Sequence, residues 1–218
     1  MNLLYFDIET AGKYKDFQTF KDLDLRGANL FEKKANKHRW LEIDTIEEAY
    51  LNKSPLHPEF NVIVCLTYGY EDSREGFRVK SFTGDEKEIL KNSNKIWTNF
   101  IKKNYIGCGY NIKRFDLPLL NIKHYQHNVP MHNILDIKDK KPWDIQHADI
   151  FEKWNHGFNS FVSLDEVCYV LGIESPKDNM KGSDVHKEFY AGNIDRIVKY
   201  CEGDVKVLPQ IIEKMYYI

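Results

Sequence analysis

Two acidic residues stand two positions apart near the start of the chain, at the end of an apolar and aromatic run. Residues 3–10 read LLYFDIET, a pattern typical of a buried strand. Because the side chains of a strand alternate between its two faces, Asp7 and Glu9 point to the same side. Neighbouring carboxylates repel each other unless a cation compensates them, and hard divalent cations prefer oxygen ligands. The pair therefore indicates a metal site, although a structural or solvent-exposed acid pair fits this pattern equally well.

Two later segments carry further residues that could take part in such a site. Asp116 follows a short apolar segment, residues 105–110, and stands where a helix is predicted to begin. A helix N-terminus favours acidic residues, so capping alone would also explain Asp116. Tyr200 and Asp204 are four positions apart in the last predicted helix and therefore share one of its faces. Taken alone, Tyr200 also fits an interior tyrosine with a satisfied hydroxyl group.

The composition limits the class of protein that can hold these residues. The chain has 218 residues, of which 42% are hydrophobic and 29% are charged, which is enough for a sizeable core. We expect a single domain over residues 1–218, with a polar insertion at about residues 11–57. The formal net charge of −2 argues against a protein that wraps nucleic acid by cationic charge alone. It does not exclude an enzyme that reaches nucleic acid through bound divalent ions.

The cysteines and the apolar segments predict where the protein acts. The four cysteines are widely spaced and form no CxxC pair, which argues against a zinc site and favours buried thiols in a reducing compartment. The chain begins directly with the first predicted strand, without the pattern of a signal peptide, and no apolar run is long enough to span a membrane. We therefore expect a soluble, cytoplasmic protein with no membrane partner.

The predicted elements alternate in a way that favours an α/β fold. After the insertion, strands are predicted at residues 61–68 and 76–82, joined by a short turn, and a helix follows over residues 85–103. Residues 105–110 and 145–149 are further strand candidates, and a helix is predicted after each of them. Two strands joined by a short turn cannot be parallel. The sheet should therefore be mixed, with an antiparallel meander at one side.

Three motifs in this order resemble those of the DEDD exonucleases, in the branch that contains a tyrosine. They are Asp7-Ile8-Glu9-Thr10, then Asn111-x-x-x-Phe115-Asp116, and then Tyr200-x-x-x-Asp204. The chain resembles in particular the stand-alone predicted 3′–5′ exonucleases related to the proofreading domain of family B DNA polymerases. Residues 163–168, SLDEVC, and residues 180–185, MKGSDV, also look like that group. The resemblance covers about residues 1–10 and 58–218 and leaves the insertion unexplained.

The resemblance implies a fold and a set of catalytic residues. The fold is ribonuclease H-like, with a mixed five-stranded sheet flanked by helices. The cofactors are two divalent ions, Mg²⁺ or Mn²⁺, held by four carboxylates: Asp7, Glu9, Asp116 and Asp204. Asp7 would reach both ions, whereas Asp116 would hold the second ion through water. Tyr200 would orient the attacking water or help to deprotonate it, in a reaction that two such ions about 3.5–4 Å apart can drive.

The resemblance also implies residues that bind the substrate. The candidates flank the acidic residues: Thr10, Asn111, Lys113, Arg114 and Phe115. Asn111 and Phe115 are expected to shape the site. The positive charges of Lys113 and Arg114 either contact a substrate phosphate or lie on a solvated face.

The sequence thus favours a metal-dependent 3′–5′ exonuclease that hydrolyses phosphodiester bonds at the 3′ end of single-stranded nucleic acid, with DNA as the first choice. One alternative is a catalytically silent nucleic-acid-binding module on the same fold, but such silence usually follows the loss of a carboxylate and none is lost here. Another alternative is an exoribonuclease that acts on short RNA, which a 2′-hydroxyl contact would distinguish. The expected partners are single-stranded DNA or RNA and, in a role in DNA repair or nucleic-acid turnover, replication or repair proteins.

Overall fold

The structure, a computed structural model, describes residues 2–157, 161–175 and 180–216. The chain divides into two compact units. The first comprises Met1–Ile8, Cys65–Met180 and Val198–Ile218, and the second comprises Glu9–Val64 and Lys181–Ile197. The insertion predicted at about residues 11–57 falls within the second unit. Its description as an insertion in a single domain stays a prediction.

The strands form one mixed sheet in the order β3-β2-β1-β4-β5. Their bounds are β1 Asn2–Gly12, β2 Asn61–Asp72, β3 Gly76–Thr83, β4 Tyr105–Gly109 and β5 Ala148–Asp149. The turn between β2 and β3 is short, and these strands pair antiparallel, with Asp72 opposite Gly76. β4 is parallel to both β1 and β5. The mixed sheet of five strands predicted from the sequence is confirmed for the described residues.

Helices flank the sheet, as the sequence predicted. Their bounds are α1 Phe17–Leu23, α2 Leu25–Lys37, α3 Ile46–Lys53, α4 Glu86–Ile101, α5 Asp116–His127, α6 Ile150–Asn155, α7 Leu164–Leu171, α8 Val185–Tyr190 and α9 Ile194–Tyr216. Local signals fix the ends of α7: Ser163 and Glu166 form a capping box, and Gly172 ends the helix in the left-handed conformation with φ +66°. Among the described residues, no helix combines the length and the apolar character that crossing a bilayer requires.

The core of the first unit covers both faces of its sheet. Tyr5 belongs to an apolar cluster that includes buried residues of α6, α7 and α9. Phe6, the next residue of β1, faces the other way and packs edge to face against Trp97 of α4, with ring centroids 6.1 Å apart. Because the side chains of a strand alternate, Asp7 points to the same face as Tyr5, which is the face that α9 covers.

The second unit has a core of its own that consists largely of aromatic rings: Phe17, Phe20, Phe31, Tyr50 and Phe60. The buried hydroxyl group of Tyr50 donates a 3.0 Å hydrogen bond to the carbonyl of Tyr14. The segment from residue 181 joins this core through Gly12, whose N–H donates to Nδ1 of His186 and whose carbonyl accepts from the hydroxyl of Tyr190, both at 2.9 Å. The polar composition of residues 11–57 therefore reflects the outer faces of short helices around an apolar interior.

Candidate active site

β1 carries the acid pair that the sequence predicted. Asp7 lies in the first unit and Glu9 opens the second, but both belong to one continuous strand, and the strand itself sets their spacing. A carboxylate oxygen of Asp7 and one of Glu9 lie within 4.8 Å of each other. Asp7 is half-buried, and Glu9 is 9% exposed. Two like charges are thus held close together with little water to screen them.

The turn between β4 and α5 places Asp116. Asn111 adopts the left-handed conformation with φ +60°. The backbone N–H groups of Asn111 and Lys113 each donate a 2.9 Å hydrogen bond to the carboxylate of Asp149, one to each oxygen. Asp149 is itself buried at the end of β5. This carboxylate therefore fixes the backbone of the turn just before Asp116 begins α5.

Asp116 is an ionisable group in an interior position, with only 3% of its surface exposed. Burial raises the pKa of its carboxyl group well above the ordinary range, and the nearby charge of Asp7 raises that pKa further. Backbone hydrogen bonds, including one from Ile8, oppose the rise and keep the carboxyl group against β1. No residue that the structure describes hydrogen-bonds to Oδ1 of Asp116. A buried carboxylate oxygen in this state is a suitable ligand for a cation.

α9 brings the third motif to Asp7. Sγ of Cys201 lies 3.4 Å from Oδ2 of Asp7 and 3.5 Å from its carbonyl oxygen. Asp204 is three residues after Cys201, so the two side chains lie on the same side of the helix. Tyr200 precedes Asp204 by one turn, and these two residues are only 8% and 9% exposed. Tyr200 and Asp204 therefore lie on or beside the side of α9 on which Cys201 contacts Asp7. Their place among the catalytic residues stays a prediction.

Two glycines allow these elements to approach the central strands. A Cβ atom at Gly109 would lie 2.6 Å from the carbonyl oxygen of Phe6 on β1, and a Cβ atom at Gly69 on β2 would lie 2.6 Å from Cγ1 of Val205 on α9. Real Cβ atoms do not approach other heavy atoms so closely. The turn before Asp116 and the turn of α9 that carries Asp204 can therefore pack tightly on the sheet only because both positions lack a side chain.

Residues 53–207 match the model of a family described as a predicted 3′–5′ exonuclease related to the exonuclease domain of PolB. The match covers more than half of the chain. The chain belongs to this exonuclease family. The resemblance to the stand-alone predicted 3′–5′ exonucleases is thereby confirmed, whereas membership of the tyrosine-containing branch stays a prediction. No curated protein matches the chain significantly.

The family match contains Asp116, Tyr200 and Asp204 but begins after Asp7 and Glu9. The structure nevertheless joins the two parts, because Asp7 contacts Cys201 and raises the pKa of the buried Asp116. Asp7 of the first motif therefore lies near Asp116 of the second motif and contacts Cys201, which stands within the third motif.

The carboxylates of the three motifs suit divalent metal ions, which exonuclease-like families generally use. They offer only oxygen ligands, the type that Mg²⁺ and Mn²⁺ prefer: Asp7, Glu9, Asp116 and Asp204. The mutual repulsion of Asp7 and Asp116 is relieved when a cation lies between carboxylates. The buried Oδ1 of Asp116, to which no described residue hydrogen-bonds, is a ligand atom of the same kind. The residues therefore fit a divalent cation.

Two of the candidate substrate-binding residues are already engaged within their own units. The hydroxyl of Thr10 donates a 2.7 Å hydrogen bond to the carbonyl of Pro55. The ammonium group of Lys113 donates to the carboxylate of Glu152 at 2.7 Å and to the carbonyl of Pro142 at 3.0 Å. A contact between either side chain and a substrate stays a prediction, and it would require an exchange or sharing of these partners.

The other three candidates lie in the turn before α5. Arg114 is exposed, and Phe115 is half-buried at the N-cap of α5. Oδ1 of Asn111 is buried, and no described residue hydrogen-bonds to it. Their roles in substrate binding stay predictions, but these side chains retain groups that a ligand could reach or satisfy.

Sequence reasoning did not assign a role to Asp149 or Cys201, although both contact the motifs. Asp149 stands between a strand and a helix, where an acid commonly caps the helix, and it does cap α6 through the N–H of Phe151 at 3.0 Å. Asp149 also accepts a hydrogen bond from the N–H of Asn111, which is 38 positions away in the sequence. No short-range sequence pattern indicates that bond. Cys201 lies inside the third motif. Its contact with Asp7 could not be predicted from the sequence, because it depends on how α9 packs on β1.

Proposed function

We propose that the chain is a metal-dependent 3′–5′ exonuclease that hydrolyses phosphodiester bonds at the 3′ end of single-stranded DNA. The buried carboxyl group of Asp116 beside Asp7 carries this proposal. Burial of a carboxyl group whose pKa is raised by a second carboxylate destabilises the metal-free protein. Such an arrangement is typical of sites in which a cation completes the structure and performs chemistry.

The proposed roles follow from the chemistry of each side chain. Asp7, Glu9, Asp116 and Asp204 would hold two divalent ions. When bound, these ions would lower the pKa of the attacking water and neutralise charge on the leaving oxygen. Tyr200 would hold the water by a hydrogen bond through its hydroxyl group and so orient it towards the phosphorus atom. Asp149 would act on none of these atoms and would instead position the turn that carries Asp116.

The organisation of the chain and its compartment are part of this proposal. We propose one exonuclease domain in which residues 11–57 form an insertion. The aromatic core of that region supports a folded addition rather than a flexible linker. All four cysteines are buried, and none forms a disulfide bond, which is the usual state of cysteines in the reducing cytoplasm.

Digestion of 5′-labelled oligonucleotides tests the activity and its polarity together. Single-stranded DNA and RNA of the same sequence would be incubated with Mg²⁺, with Mn²⁺ or with EDTA. We expect a ladder that shortens from the 3′ end of the DNA, only when a divalent ion is present. Asp7→Asn and Asp204→Asn should abolish the ladder, whereas Asp195→Asn, a change to an exposed acid on α9, should leave it intact. Binding without cleavage would support a silent module, and faster digestion of RNA would support an exoribonuclease.

A further inference from the structure

The turn before α5 and the segment before α7 both contact the ring of Phe151 on α6. This ring is buried, with 2% exposure. The ring of Phe161 lies against it, with centroids 5.6 Å apart and planes inclined by 32°. Phe161 itself remains 72% exposed. One isolated exposed aromatic side chain is common in proteins, so the neighbours of Phe161 decide whether its exposure has a use.

Arg114 supplies a positive charge at the same ring. Its guanidinium carbon lies 5.3 Å from the centroid of Phe151, within the range of a cation–π contact. Arg114 is exposed, and among the described residues it forms no ion pair. Lys113, the preceding residue, differs because Glu152 and Pro142 hold its ammonium group. Arg114 is therefore the cation of this turn that can accept an external anion.

Hydrogen bonds hold both contributing segments in place. The hydroxyl of Tyr110 donates to the carbonyl of Val162, the residue after Phe161. The following residue, Ser163, is fixed by its capping box at the start of α7. On the other side, the N–H of Lys113 donates to Asp149 at 2.9 Å. Arg114 and Phe161 each follow or precede an anchored residue, so a ligand would not have to order their backbones.

We propose that Arg114 and Phe161 form a subsite for one unpaired nucleotide of the substrate, in which the base stacks on Phe161 and a phosphate binds Arg114. This inference rests on the proposed exonuclease function. The guanidinium group matches a phosphate in charge and in fork geometry. An exposed aromatic face accepts any base that is not paired within a duplex. Arg114 is two residues before Asp116 in the turn that leads into α5, so its backbone lies close to one proposed metal ligand, and the subsite would select single strands.

The test is equilibrium binding of a fluorescent single-stranded oligonucleotide in Ca²⁺, with gel analysis to verify that the oligonucleotide stays intact. Phe161→Ala should weaken binding roughly 5- to 150-fold, the usual effect of removing a stacking platform, and Phe161→Trp should restore it. Arg114→Ala should reduce the slope of log Kd against log salt concentration by about 0.7, and Arg114→Lys should keep that slope. Tyr169→Ala and Arg74→Ala, changes to exposed residues elsewhere in the first unit, should bind as the wild type does.

Abasic substitution identifies the nucleotide that the subsite holds. Oligonucleotides with one abasic position, moved stepwise from the 3′ end, should show one position where loss of the base weakens binding by wild-type protein. Phe161→Ala should bind that abasic oligonucleotide and the intact one equally well. The variant already lacks the stacking contact between the base and Phe161, so loss of the base removes nothing further. If Phe161 only covers Phe151, Phe161→Ala will lower the melting temperature and leave both binding and its dependence on the base unchanged.

The outcomes separate this inference from the proposed function. Cleavage from the 3′ end that is unaffected by changes at Phe161 and Arg114, with unaltered binding, overturns the subsite and leaves the exonuclease standing. Binding that depends on Phe161 without any cleavage supports the subsite and refutes the hydrolysis. Absence of binding by wild-type protein to every oligonucleotide overturns both.

Discussion

The carboxylate of Asp149 accepts a 2.9 Å hydrogen bond from the backbone N–H of Asn111. This bond joins the end of β5 to the left-handed residue that opens the turn before Asp116. Asp149 also accepts from Lys113 in the same turn and from Phe151 and Glu152 at the start of α6. One buried carboxylate thus satisfies backbone donors of two elements, and the position of Asp116 depends on it.

Replacing Asp149 should therefore impair both stability and catalysis. Asp149→Ala leaves several backbone N–H groups without their acceptor and should lower the free energy of unfolding by about 2–4 kcal/mol. Asp149→Asn should cost less, because burial raises the pKa of Asp149 and already disfavours its charged form, and the amide oxygen remains an acceptor. Denaturant unfolding and turnover on single-stranded DNA check both effects.

The matched control for this prediction is Asp72→Ala. Asp72 also accepts hydrogen bonds from two backbone N–H groups, those of Arg74 and Glu75, but in the turn between β2 and β3. We expect a smaller loss of stability there and an unchanged turnover number at temperatures where the variant is folded. Equal losses of turnover in the two variants would mean that Asp149 has no special connection to the active site.

The sequence predicted the parts of this site that have a local cause. Alternation along β1 predicted that Asp7 and Glu9 share a face, and helix periodicity predicted the same for Tyr200 and Asp204. The antiparallel pair β2 and β3 also followed from a short-range pattern, the brief turn between two predicted strands. These features were predictable because each depends on residues only a few positions apart.

Contacts between distant segments were not predictable in the same way. The bond of Asp149 to Asn111 and the contact of Cys201 with Asp7 join residues 38 and 194 positions apart. Their side chains show no pattern until the sheet order is known. The aromatic core around Tyr50 was hidden for a related reason: its rings are spread over several short helices whose outer faces are polar.

The raised pKa of Asp116 predicts how stability depends on pH in the absence of metal. Because the folded-state pKa lies above the ordinary value of 3.8, the folded state binds the proton more tightly, and stability falls as pH rises from that range through the folded-state pKa. Asp116→Asn removes this cost and should melt at a higher temperature than wild type at pH 8 in EDTA. For a chain of this size, each 1 kcal/mol corresponds to about 2–4 °C.

Two further measurements make the Asp116 prediction specific. The advantage of Asp116→Asn should shrink as the pH approaches 4, where the wild-type carboxyl group is protonated. Mg²⁺ or Mn²⁺ should raise the melting temperature of wild-type protein and have a smaller effect on the variant. If metal-free Asp116→Asn melts below the wild type across this pH range, the charged carboxylate of Asp116 does not destabilise the metal-free protein, and its assignment as a buried metal ligand is contradicted.

His147 predicts a loss of stability in mild acid. Its Nδ1 accepts a 2.8 Å hydrogen bond from the N–H of Gly107 on β4, and its Nε2 donates to the carbonyl of Ile134 at 2.8 Å. Protonation of Nδ1 would break the first bond, and burial lowers the pKa of His147 below its ordinary value of 6.5. The unfolded chain therefore takes up the proton first, and stability is lost as pH falls from about 6.5 through the folded-state pKa.

The measurement is thermal unfolding between pH 8 and pH 5. His147→Gln keeps a hydrogen-bonding side chain without the titration, so its melting temperature should decline less with acid than that of wild type. His38→Gln, a change to an exposed histidine, should follow the wild-type curve. The buried His124 and His186 also have lowered pKa values, so a reduced decline, not a flat curve, is expected for His147→Gln.

Tyr200→Phe separates a catalytic tyrosine from a structural one. The ring of Tyr200 is nearly buried, with 8% exposure, and phenylalanine preserves that packing. If the hydroxyl orients the attacking water, turnover should fall by about 10²-fold or more, the usual scale for a positioned acid–base or orienting group. Affinity for single-stranded DNA and stabilisation by Mg²⁺ should be unchanged, because the carboxylates that bind metal remain. If Tyr200 is purely structural, Tyr200→Phe should instead have a lowered melting temperature and normal turnover. Both quantities are therefore measured on the same preparation. Wild-type turnover in the variant would exclude the hydroxyl from the mechanism.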